Sequence, residues 1–228
     1  MSDFSKQNLP EFQYELVRVP PSEALQKFLE LREEGKGVFS PVILDSPEKY
    51  YQDNDQMNAF QQELPKRLVV SLTTSVENFF SRRKEENAEY YQELEKGSWP
   101  AVPYKFDSYL LRQMEEVFIA KVPTPHSYEA IAYIGFGGWN DCPKDEEHVA
   151  VLKYWHDRYG ANLFAQGGDI LECTVERPPT TREEALNLAR EQMLYSPGSL
   201  CEFAGCENSI QNLAAALLNS RHWLFWWD

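Results

Sequence analysis

Between Asp145 and Glu176 the hydrophobic period changes from that of a helix to that of strands, with glycine at the breaks. His148, Leu152, Trp155 and Tyr159 fall within about 40° of one another at 100° per residue, so they share one helical stripe. Asp145 and its acidic neighbours open that helix, where the dipole favours negative charge, and Gly160 closes it. Asn162 to Gln166 and Ile170 to Glu176 then read as strands on either side of Gly167-Gly168-Asp169, a hairpin signal. A helix joined directly to a hairpin excludes an all-helical or an all-strand chain. The expected class is α+β: a mixed or mostly antiparallel sheet with helices packed on it, in a single domain.

The flanking segments fit that class. Phe12 to Val19 reads as a strand, with Phe12, Tyr14 and Leu16 on one face. Ser22 is placed to cap a helix running to about Glu34, with Leu25, Phe28 and Leu29 on one side. Gly35 and Gly37 end it, and Val38 to Leu44 follows as an apolar strand, which together suggest a βαβ unit. Ser46-Pro47 resembles a cap followed by proline at the first helical position, opening a helix through Gln62, and Pro65 interrupts. A charged helix is expected from Ser75 to Lys96, its Arg82-Arg83-Lys84 run solvated. The stretch 97–106 reads as a connection, so that residues 1–106 pack on residues 107–228. Later signals are a strand at Glu116 to Val122, a short helix at Ser127 to Ile134, and a glycine-rich turn at Gly135 to Pro143. A Thr181–Glu184 capping box opens a helix to about Tyr195, and another helix is marked by Ile210, Leu213, Ala214, Leu217 and Leu218. His222 to Trp227 is apolar on both faces, as an inner strand would be.

Charge narrows the function classes. Lys plus Arg is 22 and Asp plus Glu is 36, a net charge of −14. Such a field repels phosphate backbones and anionic membranes, so neither nucleic acid nor a membrane is an expected partner; a basic protein suits it better. No run approaches the roughly 18 to 20 apolar residues that span a bilayer. Met1 to Asn8 lacks a basic-then-apolar signal pattern, which points to the cytoplasm and to reduced thiols. Cys201 and Cys206 stand too far apart for a zinc knuckle, and with Cys142 and Cys173 they read as small buried residues. No metal or other cofactor is expected, because no phosphate loop, dinucleotide fingerprint or metal spacing is present.

Six blocks in the second half resemble one family. They are Gly137-Gly-Trp-Asn-Asp-Cys-Pro143, Val149-Ala-Val-Leu-Lys-Tyr-Trp-His-Asp-Arg-Tyr-Gly-Ala161, Asp169-Ile-Leu-Glu172, Arg177-Pro-Pro179, Glu183-Glu-Ala-Leu-Asn-Leu-Ala-Arg-Glu-Gln192 and Phe225-Trp-Trp-Asp228. Their order and spacing resemble the bacterial domain of unknown function 4253 family over about residues 116–228. Where that family shows Tyr-Cys-Pro-Asp, this chain has Tyr195-Ser-Pro-Gly198. The resemblance implies a shared fold and assigns no activity.

The polar residues in unusual places are the candidate site. Trp139, Asn140 and Asp141 belong to the glycine turn, where the glycines supply positive φ and Trp139 serves as an anchor or lines a pocket. His148 lies on a core stripe and reads as a hydrogen-bonded core histidine, with His156 at the edge of that face. Asp169 suits the hairpin turn. Glu172 interrupts an apolar strand and faces either solvent or a pocket, where it would be a general-base candidate. Gln192 sits on an otherwise apolar stripe with Ala185, Leu188 and Ala189, where a buried amide needs partners and would tie two backbone segments together. Glu191 beside it reads as solvated. No nucleophile elbow, triad signature or kinase set appears. A non-catalytic binding protein, such as an immunity or adaptor protein, is therefore expected first. The alternative is a small-molecule enzyme, such as a hydrolase, with its pocket near the Gly-Gly-Trp-Asn turn.

Overall fold

The computed structural model describes residues 12–45, 47, 54–198 and 208–228. The chain runs β1 (Leu16–Val19), α1 (Pro21–Glu34), β2 (Ser40–Leu44), α2 (Asn54–Gln62), α3 (Leu64–Thr73), α4 (Val76–Glu86), α5 (Ala88–Leu94), α6 (Tyr109–Gln113) and β3 (Val117–Val122). A 3-10 turn (Ser127–Glu129) leads into α7 (Ala130–Ile134), followed by α8 (Asp145–Tyr159), β4 (Ala161–Gln166), β5 (Ile170–Val175), α9 (Arg182–Tyr195), α10 (Ile210–Leu217) and β6 (His222–Trp226). Among the described residues the strands form one six-stranded sheet in the order β1-β3-β2-β4-β5-β6. Only β2 and β4 are parallel neighbours; the other pairs are antiparallel. The class is α+β with a mixed sheet.

Several local signals are realised. Thr181 and Glu184 form the capping box of α9. Gly160 ends α8 at φ 62°, a left-handed conformation that costs glycine nothing. The opening βαβ unit is split: β3 lies between β1 and β2, antiparallel to both. α1 starts two residues earlier than a Ser22 cap implies, with Pro21 at its first position and no side-chain cap at Pro20. Its inward face is Ala24, Phe28 and Leu31, while Leu25 and Leu29 are exposed. α2 ends at Gln62 as expected, and Pro65 sits in the first turn of α3, just past the break at Glu63. The expected 75–96 helix is two helices, broken at Asn87 (φ −134°). Both halves are anchored on the end of α9: Arg83 Nε donates to Leu194 O at 3.0 Å, and Tyr91 Oη to Met193 O at 3.4 Å. Arg83 is buried, so the basic run is not wholly solvated. The Ser46 cap, Cys201 and Cys206 lie outside the described residues.

Among the described residues β6 is an edge strand and not the inner strand its composition suggests; it pairs there with β5 alone. Its hydrophobicity has another cause. Trp223 and Phe225 pack on Trp155 and Tyr195, and Leu224 is buried on the opposite face. The residue after α9 covers its outer edge: Ser196 Oγ donates to Trp226 O at 2.7 Å and accepts from Trp226 N at 3.1 Å. An edge whose polar groups are covered in this way is protected from further strand pairing.

Side-chain alternation divides the sheet into two unlike faces. One carries Trp223 and Phe225 against α8 and α9, with α3 and α4 packed outside them. The other carries Phe164, Glu172 and His222 towards α1 and α6. A β-bulge at Phe164 sets where β4 points its last residues. Leu163 pairs with Cys173 but Ala165 pairs with Glu172, so the alternation slips by one. Gln166 is thereby turned towards the α8 face, where its Nε2 donates to Gly135 O at 2.9 Å.

Candidate functional site

The carboxyl ends of the parallel pair β2 and β4 meet two openings, one on each side of the sheet. On the α6 side is a groove of about 630 Å³ lined by Asp45, Tyr109, Met114, Glu115, Asp169 and Trp226, with Glu116 and Leu110 among its other walls. Two of these acids are held by the hairpin. Asp45 Oδ2 accepts from Gly168 N at 3.2 Å, and Asp169 Oδ2 accepts from Trp226 Nε1 at 3.1 Å. Glu116 pairs with Arg18. Among the described residues the lining contains four carboxylates and no lysine or arginine.

On the α8 side the glycine turn roofs a second opening of about 440 Å³. It is walled by Phe60, Gly135, Phe136, Gly137, Gly138 and Trp139, with Lys144, Asp145 and Glu146 at the start of α8. Gly135, Gly137 and Gly138 have φ between 86° and 94°, and Asn140 has φ 43°. Gly137 permits a close approach: a Cβ there would lie 2.0 Å from Pro143 O and 2.7 Å from His148 Nε2. Asp145 Oδ2 lies 3.4 Å from Arg67 Nε. Burial, reinforced by the neighbouring Glu146, pushes the Asp145 carboxyl up to about 7.

The eight candidate residues do not converge. Trp139 lines the glycine-turn cavity and packs on Phe136 with centroids 5.1 Å apart. Asn140 donates from Nδ2 to Asp228 O at 2.7 Å, on a separate surface recess shared with Asp141. The Asp141 side chain is exposed, and its carbonyl accepts from Arg83 Nη2 at 2.9 Å. Asp169 is the one candidate in the acidic groove. His156 Nδ1 lies 3.1 Å from Ala161 O, beside Tyr128 and away from His148.

His148 is fully buried, as the stripe predicted, inside a cage of Phe136, Tyr195 and Trp227. Its Nδ1 lies 2.5 Å from Tyr195 Oη, and its Nε2 3.4 Å from Cys142 Sγ. This has the outline of a nucleophile–base pair, but the electrostatics oppose it. Burial lowers His148 to about 3 and pushes the Cys142 thiol up. Both groups are held neutral, the reverse of an activated thiolate–imidazolium pair.

Glu172 faces neither solvent nor a cavity, contrary to both expectations. It is completely buried under α6, where Oε1 accepts from Leu110 N at 2.8 Å and Oε2 lies 2.9 Å from His222 Nε2. The carboxylate thus satisfies an amide in the first turn of α6, one of the groups a helix leaves unpaired. His222 was read only as the start of a strand; the signal that could have found it was the need of Glu172 for a partner. Gln192 is buried on the expected stripe, yet its Nε2 has no hydrogen-bond partner, so the expected tie between backbone segments fails at the nitrogen. Glu191 is the bonded neighbour instead of a solvated one. It accepts from Tyr154 Oη at 2.8 Å and from Trp155 Nε1 at 2.9 Å. Sequence reasoning also missed Asp45, Glu115 and Arg67, which are unremarkable polar residues until the fold gathers them.

Fold and openings define the class: an α+β protein with a mixed sheet and two cavities at the carboxyl ends of its parallel strands. Residues 118–228 match the family described as Domain of unknown function (DUF4253), in agreement with the resemblance read from the six sequence blocks. No curated protein and no solved structure matches the chain.

Proposed function

We propose that this is a non-catalytic binding protein, of the immunity or adaptor kind, whose acidic groove receives a basic segment of a partner protein. The observation that carries the reading is the described lining of that groove: Asp45, Glu115, Glu116 and Asp169, with no lysine or arginine among the described residues, beside Tyr109, Met114 and Trp226. Carboxylates bind guanidinium and ammonium groups by charge-assisted hydrogen bonds, and aromatic faces add cation–π attraction. A net charge of −14 adds long-range steering towards such a partner. The enzyme alternative has less support. The carboxylate–histidine pair of buried Glu172 and half-buried His222 lies beneath Leu110 and lines neither cavity. A cytoplasmic setting belongs to this reading, and the free, buried Cys142 and Cys173 agree with it.

Titration with a labelled arginine-rich peptide, followed by fluorescence anisotropy, tests the proposal. Binding should weaken as salt is raised. The paired substitutions Glu115→Gln and Asp169→Asn should weaken it about tenfold, on the basis of about 1.4 kcal/mol lost with the two charges. Absence of binding at low salt, or unchanged affinity in the double variant, would refute the groove as the site.

A further inference from the structure

The glycine-turn cavity is separate from the acidic groove and has different chemistry. Three of its walls are aromatic: Phe60 from α2, and Phe136 and Trp139 from the turn. Gly138 lines it with no side chain; a Cβ there would meet nothing within 4 Å among the described residues, and its φ of 86° suits glycine. The polar end is Asp145, whose natural counter-charge is committed elsewhere. Arg67 Nη1 donates to Phe60 O at 2.6 Å, while Nε and Nη2 donate to Ala132 O at 3.2 and 3.0 Å. Its guanidinium also lies over the Phe60 ring, 3.5 Å from the centroid. Besides the 3.4 Å contact from Arg67 Nε and the amide of Glu146 at 2.9 Å, the Asp145 carboxyl meets the carboxylate of Glu146, a second acid and not a counter-charge. Burial, and then the neighbouring Glu146 carboxylate, raise its proton affinity, so the two acids together favour a positive charge at this end of the cavity.

We infer that this cavity is a second binding site, for a small planar aromatic cation whose ring lies against Trp139 and Phe60 and whose charged donor meets Asp145. A cation brings Asp145 the charge that Arg67 does not fully supply, and a flat ring fits beneath a turn cleared of side chains. Asp145 and Glu146 together disfavour an anion, despite Lys144 at the rim. Aromatic faces attract cations as well as burying apolar surface. The site would take an amidine- or aminopyridine-like molecule, set apart from the basic peptide assigned to the groove by its flat aromatic ring.

The probe is benzamidine, compared with benzoate and benzyl alcohol, with binding read by isothermal titration and by saturation-transfer NMR. Benzamidine should bind, and the two controls much more weakly. Asp145→Asn should reduce its affinity about tenfold, matching the loss of one charge-assisted contact of about 1.4 kcal/mol. Trp139→Leu should also weaken binding, and provides the test if Asp145→Asn does not fold. Asp169→Asn, in the other opening, should leave benzamidine affinity unchanged. Equal binding of benzoate, unchanged affinity in both cavity variants, or loss of affinity in Asp169→Asn would each overturn the inference. The last result would assign the cation to the acidic groove and leave the peptide proposal standing.

Discussion

The two faces of the sheet partner histidine in opposite ways. On the α8 face, His148 sits among aromatic rings and is held neutral by burial. On the α6 face, His222 meets the carboxylate of Glu172, which also bonds the first turn of α6. The first arrangement relies on packing and a neutral hydrogen bond. The second joins three elements through one buried carboxylate. The difference shows that a polar residue in an apolar stripe acquires its meaning from what the opposite element presents.

The largest expected effect at neutral pH is on the α6 face. Glu172→Ala leaves Leu110 N and His222 without their acceptor and should cost about 3 kcal/mol in urea denaturation, as for a broken buried pair. Replacing Glu172 and His222 together by leucine should cost less, because no ring nitrogen is then stranded. An equal or greater cost in the double variant would break the proposed contrast between the faces.

On the α8 face the signature is pH dependence. The folded-state pKa of His148 is lowered from 6.5 to about 3, so its contribution to stability is complete above about 6.5. It is lost as pH falls towards 3, by at most about 1.4 kcal/mol per pH unit, since the unfolded chain takes up the proton first. His148→Gln should remove that slope. Asp145, at the mouth of the same face, carries the opposite sign. Its pKa is raised from 3.8 to about 7, so its favourable contribution is present below about 3.8 and is lost as pH rises towards 7. Asp145→Asn should therefore gain stability relative to the parent over that window. Urea melts across pH 3 to 8 measure both differences, and parallel curves would remove the assigned role of both groups.

The smallest effect separates close packing from backbone conformation alone. Gly138→Ala meets no atom, so only its φ of 86° is unfavourable, and it should cost about 1 kcal/mol. Gly137→Ala adds a clash with Pro143 O above His148 and should cost at least twice as much by thermal melting. Equal costs would show that the turn relaxes freely over the histidine cage.

Local signals were legible in the sequence because their causes are local. The α8 stripe, the Gly160 stop, the Thr181 capping box and the Gly167-Gly168 hairpin each depend on residues within a few positions of one another. The positions of His148 and Gln192 inside the core followed from helical period alone. Edge or centre did not. β6 has the composition of an inner strand because helices cover its face and Ser196 closes its edge, and neither is visible in residues 222–226. The bulge at Phe164 decided which way Gln166 points, and the insertion of β3 between β1 and β2 split the opening unit. The site was the least legible part. Asp45, Glu115 and Asp169 are far apart in the chain and become one groove only when β2, α6 and the β4–β5 hairpin meet. The sequence determined its elements and its charge, since these sum over neighbours or over the whole chain. Only the tertiary structure decided that Glu172 would be buried with His222 while Asp145 borders an open cavity, because that outcome depends on which distant backbone comes to lie above each carboxylate.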